Sequence, residues 1–142
     1  MINDLIIEPG TEVRMAAGAS LIIKWRLQAN GTQLKPIRFL PLDTASKPWG
    51  TIAIVGPGAN GSSLRHCEFS GGSGFKGELL EYSAMLSIHD VQAVVITDCL
   101  FRDNQVVDDM VHAVYSDIRF DRVRFTNAVA DALDLDICKA VI

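Results

Sequence analysis

The residues best suited to chemistry in this sequence are carboxylates grouped late in the chain. Five aspartates form the group: Asp108, Asp109, Asp131, Asp134 and Asp136. Carboxylates stacked on one face of a sheet can coordinate calcium, which takes about six to eight oxygen ligands. They can also serve as general acid and base on a sugar. A structural role is the third alternative, because aspartate in turns commonly accepts backbone N–H hydrogen bonds.

A histidine joins this group through the alignment of three apolar segments. The alignment places Ser87, His112 and Asp134 in one outward column. A serine, a histidine and an aspartate in a row resemble a catalytic triad. Neighbours on a flat face lack an oxyanion pocket, however, so a contact that orients a sugar, or a surface hydrogen bond, is the better interpretation. The candidate catalytic residues are His112, Asp109, Asp134 and Asp136.

The longest insertion supplies the candidate binding residues. It runs from Ser70 to Ala84 and opens on a glycine-rich stretch. That stretch does not connect a strand to a helix, so a phosphate cradle is not predicted. Insertions on repeat proteins often form the binding side. The candidate binding residues are Phe75, Lys76 and Tyr82.

A repeat supplies the scaffold for these residues. Residues 62–69, 94–101 and 118–125 share one pattern: a pair of small or apolar residues two apart, a two-residue interruption, and a second pair that ends on Phe. A strand-period motif that recurs about every two dozen residues is typical of solenoid coils. Stacked coils would place three ladders inside the core: Leu64, Ile96 and Phe120; Cys67, Cys99 and Val123; Phe69, Phe101 and Phe125. The sequence therefore predicts an all-β, right-handed parallel β-helix with three short strands per coil, in one domain over residues 1–142, which is complete or part of a longer solenoid.

Several segments carry a family resemblance. The early segments 7–11, 29–32, 36–39 and 47–52 resemble the first coils of right-handed parallel β-helix proteins. Segments 108–112 and 131–136 resemble coils of bacterial β-helix regions found beside spore-coat-type kinase domains. Both groups belong to the pectin-lyase-like superfamily. The superfamily includes lyases, hydrolases, epimerases and non-catalytic adhesins, so the resemblance implies the fold and leaves the activity open.

Composition narrows the function classes. The net charge of −4 argues against nucleic acid as a partner, because phosphate binding needs a basic face. The apolar runs are far shorter than the roughly 20 residues of a membrane span. Three widely spaced cysteines form neither a disulfide framework nor a zinc motif. We predict no resident metal or cofactor, no nucleic acid and no membrane as partner.

Three functions remain open. The leading one is a non-catalytic module that binds carbohydrate or another extended surface partner. The second is a polysaccharide-active enzyme, a lyase, hydrolase or epimerase that uses His112 and the late aspartates. The third is a structural or assembly module.

The last coil predicts self-association. Residues 140–142 fall in the middle of the strand equivalent to 118–120, beside apolar Leu133, Leu135 and Ile137. Natural sheets cover or charge such edges, so we expect a homo-oligomer joined through this end, most simply a two-fold dimer. In a longer protein, further coils would do the covering. Light scattering at high micromolar concentration should give more than the chain mass of 15.5 kDa, and a stable, soluble monomer would contradict the expectation.

Overall fold

The computed structural model describes residues 4–43, 47–79, 81–105 and 109–142, and it consists of short strands. One 3₁₀ turn, Pro57–Ala59, interrupts the strands. In chain order the strands are β1 (Asp4–Ile7), β2 (Glu12–Met15), β3 (Leu21–Ile23), β4 (Arg26–Asn30), β5 (Ile37–Pro41), β6 (Ile52–Val55), β7 (Ser63–Arg65), β8 (Cys67–Ser70), β9 (Phe75–Lys76), β10 (Glu81–Tyr82), β11 (Ala84–His89), β12 (Val94–Thr97), β13 (Leu100–Arg102), β14 (Asp109–Val114), β15 (Asp117–Asp121), β16 (Arg124–Thr126), β17 (Asp131–Asp136) and β18 (Lys139–Val141).

The strands form three parallel sheets, which the chain visits in a fixed order. Sheet A is built, in order of pairing, from β1, β4, β7, β12, β15 and β18. Sheet B is built from β2, β5, β8, β13 and β16, and sheet C from β3, β6, β11, β14 and β17. The chain passes from A to B to C and then returns to A one step further along, while β9 and β10 form a separate antiparallel hairpin. The predicted all-β class is confirmed, and the parallel stacks are compatible with a β-helix.

A single residue makes the corner between sheets A and B in successive repeats. His66, Asp98 and Arg122 occupy equivalent corners with φ of 46°, 53° and 52°. This left-handed conformation is unfavourable for residues other than glycine, by about 1–2 kcal/mol. The backbone N–H of His66 donates to the Thr97 carbonyl at 3.1 Å, and that of Asp98 donates to the Asp121 carbonyl at 3.0 Å. Hydrogen bonds between coils therefore hold the corners in place.

A column of phenylalanine rings runs through the core beneath sheet B. Phe39, Phe69, Phe101 and Phe125 stack with centroid separations of 4.5, 4.8 and 5.4 Å and interplanar angles of 12°, 14° and 19°. The sequence predicted the last three rings, and the structure adds Phe39 at the start. The predicted ladder of Leu64, Ile96 and Phe120 is also confirmed by the register of sheet A.

Trp49 fixes the place where the insertion leaves the coil. It is fully buried, and its indole N–H donates to the Ser70 carbonyl at 2.8 Å. The chain then passes Trp49 at Gly72, where a Cβ would lie 2.5 Å from Met85 Cγ and 2.9 Å from the Trp49 ring. Only glycine allows so close a passage. Close packing of Gly72 against Trp49 and Met85 therefore fixes the position of the backbone where the insertion begins.

The last coil is less buried than the middle of the stack. Ile137 and Val141 are 75% and 64% exposed, and β16, β17 and β18 are each the outermost strand of a sheet. The homo-oligomer stays a prediction, since the structure is of one chain. Within the described ranges, no helix has the length and apolar character needed to cross a membrane.

Phe101→Ala should lower the free energy of unfolding by about 3–5 kcal/mol, because it empties a fully buried position within the phenylalanine column. Val95→Ala is the matched control on the outside of sheet A, where Val95 is 40% exposed, and it should cost less than about 1 kcal/mol. Urea denaturation measures both values. A loss below about 1 kcal/mol for Phe101→Ala would show that the ring column does not stabilise the core.

Candidate functional site

The outer face of sheet C carries the predicted site residues. Leu86 and Ile88 belong to the core, so the alternation of a strand directs Ser87 and His89 outward. The register of sheet C pairs Ser87 with His112 and His112 with Asp134, as the sequence predicted. Asp136 follows two residues after Asp134 on the same strand and therefore shares its face.

The insertion folds back over this face, which is therefore not flat and open as the sequence suggested. The Tyr82 and His89 rings meet edge to face, with centroids 5.1 Å apart and an angle of 66°. Ser83 Oγ lies 2.9 Å from His112 Nδ1. Ser87 is 0% exposed although it points away from the core. The residues just before β11 thus form one wall of the site.

His112 is the centre of the cluster. Its Nε2 lies 3.0 Å from Asp136 Oδ2 and 3.8 Å from Asp134 Oδ2. The His112 side chain is 15% exposed, whereas those of Asp134 and Asp136 are 46% and 59% exposed. The imidazole is therefore held in a half-enclosed position with its Nε2 edge toward two solvent-facing carboxylates.

A hydroxyl connects His112 to a third carboxylate. Ser83 Oγ donates to Asp109 Oδ2 at 3.3 Å. Because a serine has one hydroxyl proton, His112 Nδ1 donates its N–H to Ser83 when Ser83 donates to Asp109. A protonated Asp109 reverses the chain: Asp109 donates to Ser83, Ser83 to Nδ1, and Nε2–H to Asp136. The orientation of the Ser83 hydroxyl therefore connects Asp109 with the hydrogen bonding of His112.

Burial favours the protonated form of Asp109. Asp109 is 4% exposed. Burial raises the pKa of its carboxyl group, and the negative charge of Asp134 raises it further. Asp131 pairs with Asp109 in the register of sheet C and adds a smaller upward effect on this pKa. A carboxyl group with a raised pKa thus lies beside more exposed carboxyl groups, which is an arrangement found in acid–base sites.

Two buried polar atoms on this face have no hydrogen-bond partner among the described residues, namely Ser87 Oγ and His89 Nε2. Burial lowers the pKa of His89, and the nearby His112 lowers it further. The His89 and His112 rings lie edge to face with centroids 5.8 Å apart. Because buried polar groups are nearly always hydrogen-bonded, these atoms distinguish this face from an ordinary sheet surface.

The structure brings the four candidate catalytic residues together in this cluster, while Asp108 lies outside the described residues. The candidate binding residues form the hairpin beside it: Phe75 opposes Tyr82, and Lys76 opposes Glu81. Phe75 is 38% exposed, whereas Tyr82 is only 5% exposed and packs on His89. Sequence reasoning missed Ser83, which lies in the insertion, and His89, whose register partner on β14 is the apolar Val114.

The arginines lie away from this cluster. Arg65 and Arg119 belong to sheet A, Arg102 and Arg124 to sheet B, and Arg122 to a corner between them. In the part of the chain that the structure describes, the ion-pair partner of Asp134 and Asp136 is His112. The outer face of sheet C is therefore negatively charged.

A second concave surface follows the corner between sheets A and B. It is an open groove of about 550 Å³ lined by polar and charged residues, including His66, Asp98, Arg122 and Arg124. Arg122 binds Asp98 with two hydrogen bonds of 2.7 and 3.1 Å. Arg102 similarly binds Glu68 on the neighbouring coil at 2.7 Å. These pairs link neighbouring coils, so we assign the groove a structural role.

Comparison with protein-family models, with curated proteins and with solved structures found no match to this chain. The functional conclusions below therefore rest on the geometry of the cluster and its hairpin.

Asp109→Asn should raise the free energy of unfolding at pH 7 and lose this advantage near pH 4. Burial places the folded-state pKa of Asp109 above the unfolded value of 3.8. Between these two values the folded protein binds more protons than the unfolded chain, so stability falls as pH rises through that window. Asparagine avoids the buried charge. Urea denaturation at both pH values, with the exposed Asp90→Asn as control, measures the difference, and an equal effect of Asp109→Asn at both pH values would contradict a raised pKa.

Proposed function

We propose that this chain is a right-handed parallel β-helix module of the pectin-lyase-like type that binds a neutral polysaccharide across the outer face of sheet C without cleaving it. The cyclic passage through three parallel sheets supports the helix, and parallel crossover connections are right-handed in nearly all proteins. The resemblance of the early segments to β-helix coils is in line with this assignment.

One observation carries the binding proposal: the hairpin and the histidine–aspartate cluster meet on one face. Phe75 offers a partly exposed ring on which an apolar sugar face can pack. Asp134 and Asp136 offer exposed carboxylate oxygens, which accept hydrogen bonds from sugar hydroxyls. An apolar surface with a few convergent polar groups is the usual composition of a ligand site.

The charge of the face selects a neutral sugar. An acidic polysaccharide would bring carboxylates toward Asp109, Asp134 and Asp136, and like charges across an interface are costly. The arginines that a lyase could use to neutralise a uronic acid belong to sheets A and B. A lyase or epimerase acting on acidic sugars is therefore disfavoured at this site.

A polysaccharide hydrolase is the second candidate, and Asp109 favours it. Its raised pKa suits a general acid, while an exposed neighbour such as Asp136 suits a base. We favour binding over hydrolysis because Asp109 is 4% exposed and its carboxylate is engaged by Ser83. A catalytic acid must reach the glycosidic oxygen.

Phe75→Ala should weaken polysaccharide binding at least about tenfold, since loss of a stacking ring removes about 1.4 kcal/mol or more of binding energy. The probes are soluble glucomannan, a mixed-linkage β-glucan and polygalacturonate, each included in native affinity gels. Trp25→Ala is the matched control, because Trp25 is 55% exposed and lies outside the hairpin. We expect retardation by a neutral polymer, lost in Phe75→Ala and kept in Trp25→Ala.

Retardation by polygalacturonate alone, an equal loss in Trp25→Ala, or no retardation by any probe would each refute the proposal. The same probes separate the second candidate. Release of reducing ends by the wild-type protein, abolished in Asp109→Asn, would establish a hydrolase in place of a binding module.

A further inference from the structure

We propose that His112 Nε2 and one carboxylate oxygen each from Asp134 and Asp136 form a three-ligand site for a divalent first-row transition metal, for which Zn²⁺ is the probe. The site shares Asp134 and Asp136 with the proposed sugar-binding face, but its three ligands can take an ion without carbohydrate, so metal binding is tested separately in sugar-free buffer. From the sequence, calcium was one alternative for the late aspartates and no resident metal was predicted. The geometry of sheet C, with His112 beside Asp134 and Asp136, argues for a metal site instead.

The ligand atoms are already close to the spacing that an ion requires. One atom from each of the three residues lies within 4.8 Å of the other two. Ligands about 2.0–2.2 Å from a zinc ion lie roughly 3–4 Å from one another. Nε2 lies 3.0 and 3.8 Å from the two carboxylate oxygens. The remaining adjustment falls on Asp134 and Asp136, whose exposed side chains rotate without disturbing the core.

The other nitrogen of His112 is held as in a metal site. Metal-ligating histidines usually donate their second ring N–H to an oxygen partner, which fixes the ring and frees the lone pair for the ion. Here Nδ1 faces Ser83 Oγ, and Ser83 in turn donates to Asp109. When Nδ1–H donates to Ser83, the Nε2 lone pair is free to bind an ion that lies between it and the two carboxylates. A cation between the three atoms takes the place of the contact between Nε2 and Asp136.

A separate observation indicates that this face takes a polar ligand. Ser87 is the register neighbour of His112 in the same outward row, it is 0% exposed, and its Oγ has no partner among the described residues. His89 Nε2, next to the His112 ring, is equally without a partner. Buried hydroxyl and imidazole groups seldom remain unsatisfied. Open coordination positions of an ion at His112 would bring bound water to this face.

The donor set selects the class of ion. Calcium and magnesium prefer an all-oxygen environment, whereas imidazole suits zinc and its first-row neighbours. Three protein ligands leave further positions open for water. The charge also fits, because two carboxylates share one histidine and no arginine or lysine pairs with them in the described ranges.

Isothermal titration calorimetry in sugar-free buffer tests the site, with Zn²⁺, Mn²⁺ and Ca²⁺ as separate titrants on chelator-treated full chain. We expect one Zn²⁺ per chain, weaker binding of Mn²⁺ and weaker still of Ca²⁺. His112→Gln and Asp136→Asn should each weaken Zn²⁺ binding at least tenfold. Asp136 is 59% exposed, so its variant keeps the fold even if His112→Gln does not.

Two controls exclude other zinc ligands. Asp90→Asn removes an exposed carboxylate outside the cluster and should leave binding unchanged. Cys138→Ser removes the thiol whose Sγ lies 3.3 Å from the Asp136 carbonyl, and it should also leave binding unchanged. Absence of Zn²⁺ binding, retention of full affinity in Asp136→Asn, or loss of binding in Cys138→Ser or Asp90→Asn would each overturn the proposal.

Discussion

Hydrogen bonding between parallel strands places each side chain beside the equivalent side chain of the next repeat. The phenylalanine column in the core stabilises that register. The rings are stacked 4.5–5.4 Å apart, close to the spacing of neighbouring strands. A slip of one residue in any strand would turn its core residues outward. The row that brings Ser87, His112 and Asp134 side by side therefore depends on packing on the far side of the same coils.

Charges on the surface follow the same register but differ between faces. On sheets A and B, pairs such as Arg102–Glu68 and Arg122–Asp98 neutralise each other between coils. Exposed pairs of this kind contribute little to stability individually, but they leave those faces electrically balanced. The outer face of sheet C has carboxylates and two histidines, His89 and His112, instead. This contrast, more than any single residue, supports the proposal that the outer face of sheet C binds a ligand.

The sequence predicted the features that depend on coil period. Phe101 and Phe125 lie 24 residues apart, and that spacing was enough to identify the ladders and to place His112 beside Asp134. The repeat pattern does not extend to β4, because Arg26, Gln28 and Asn30 alternate there with the buried Leu27 and Ala29. Phe39 was missed because its strand does not share the pattern of the later repeats.

The part of the site that the insertion covers could not be predicted from the repeat period. The insertion returns across sheet C through turns at glycines that bear no relation to the repeat. Contacts such as Ser83 with His112 join residues 29 positions apart, a separation that matches no coil length. Only the three-dimensional path around Trp49 and Gly72 brings them together.

The position of β17 has a consequence for how the site responds to a ligand. This strand carries Asp134 and Asp136, and among the described residues it pairs with β14 at the border of sheet C. Strands with one neighbour open locally at a lower free-energy cost than strands in the middle of a sheet. A ligand that bridges these carboxylates to His112 must therefore suppress that opening by the free energy of its own binding. Ligand binding at these carboxylates and the local opening of β17 are therefore coupled. Slower amide hydrogen exchange along β17 would then report a bound ligand.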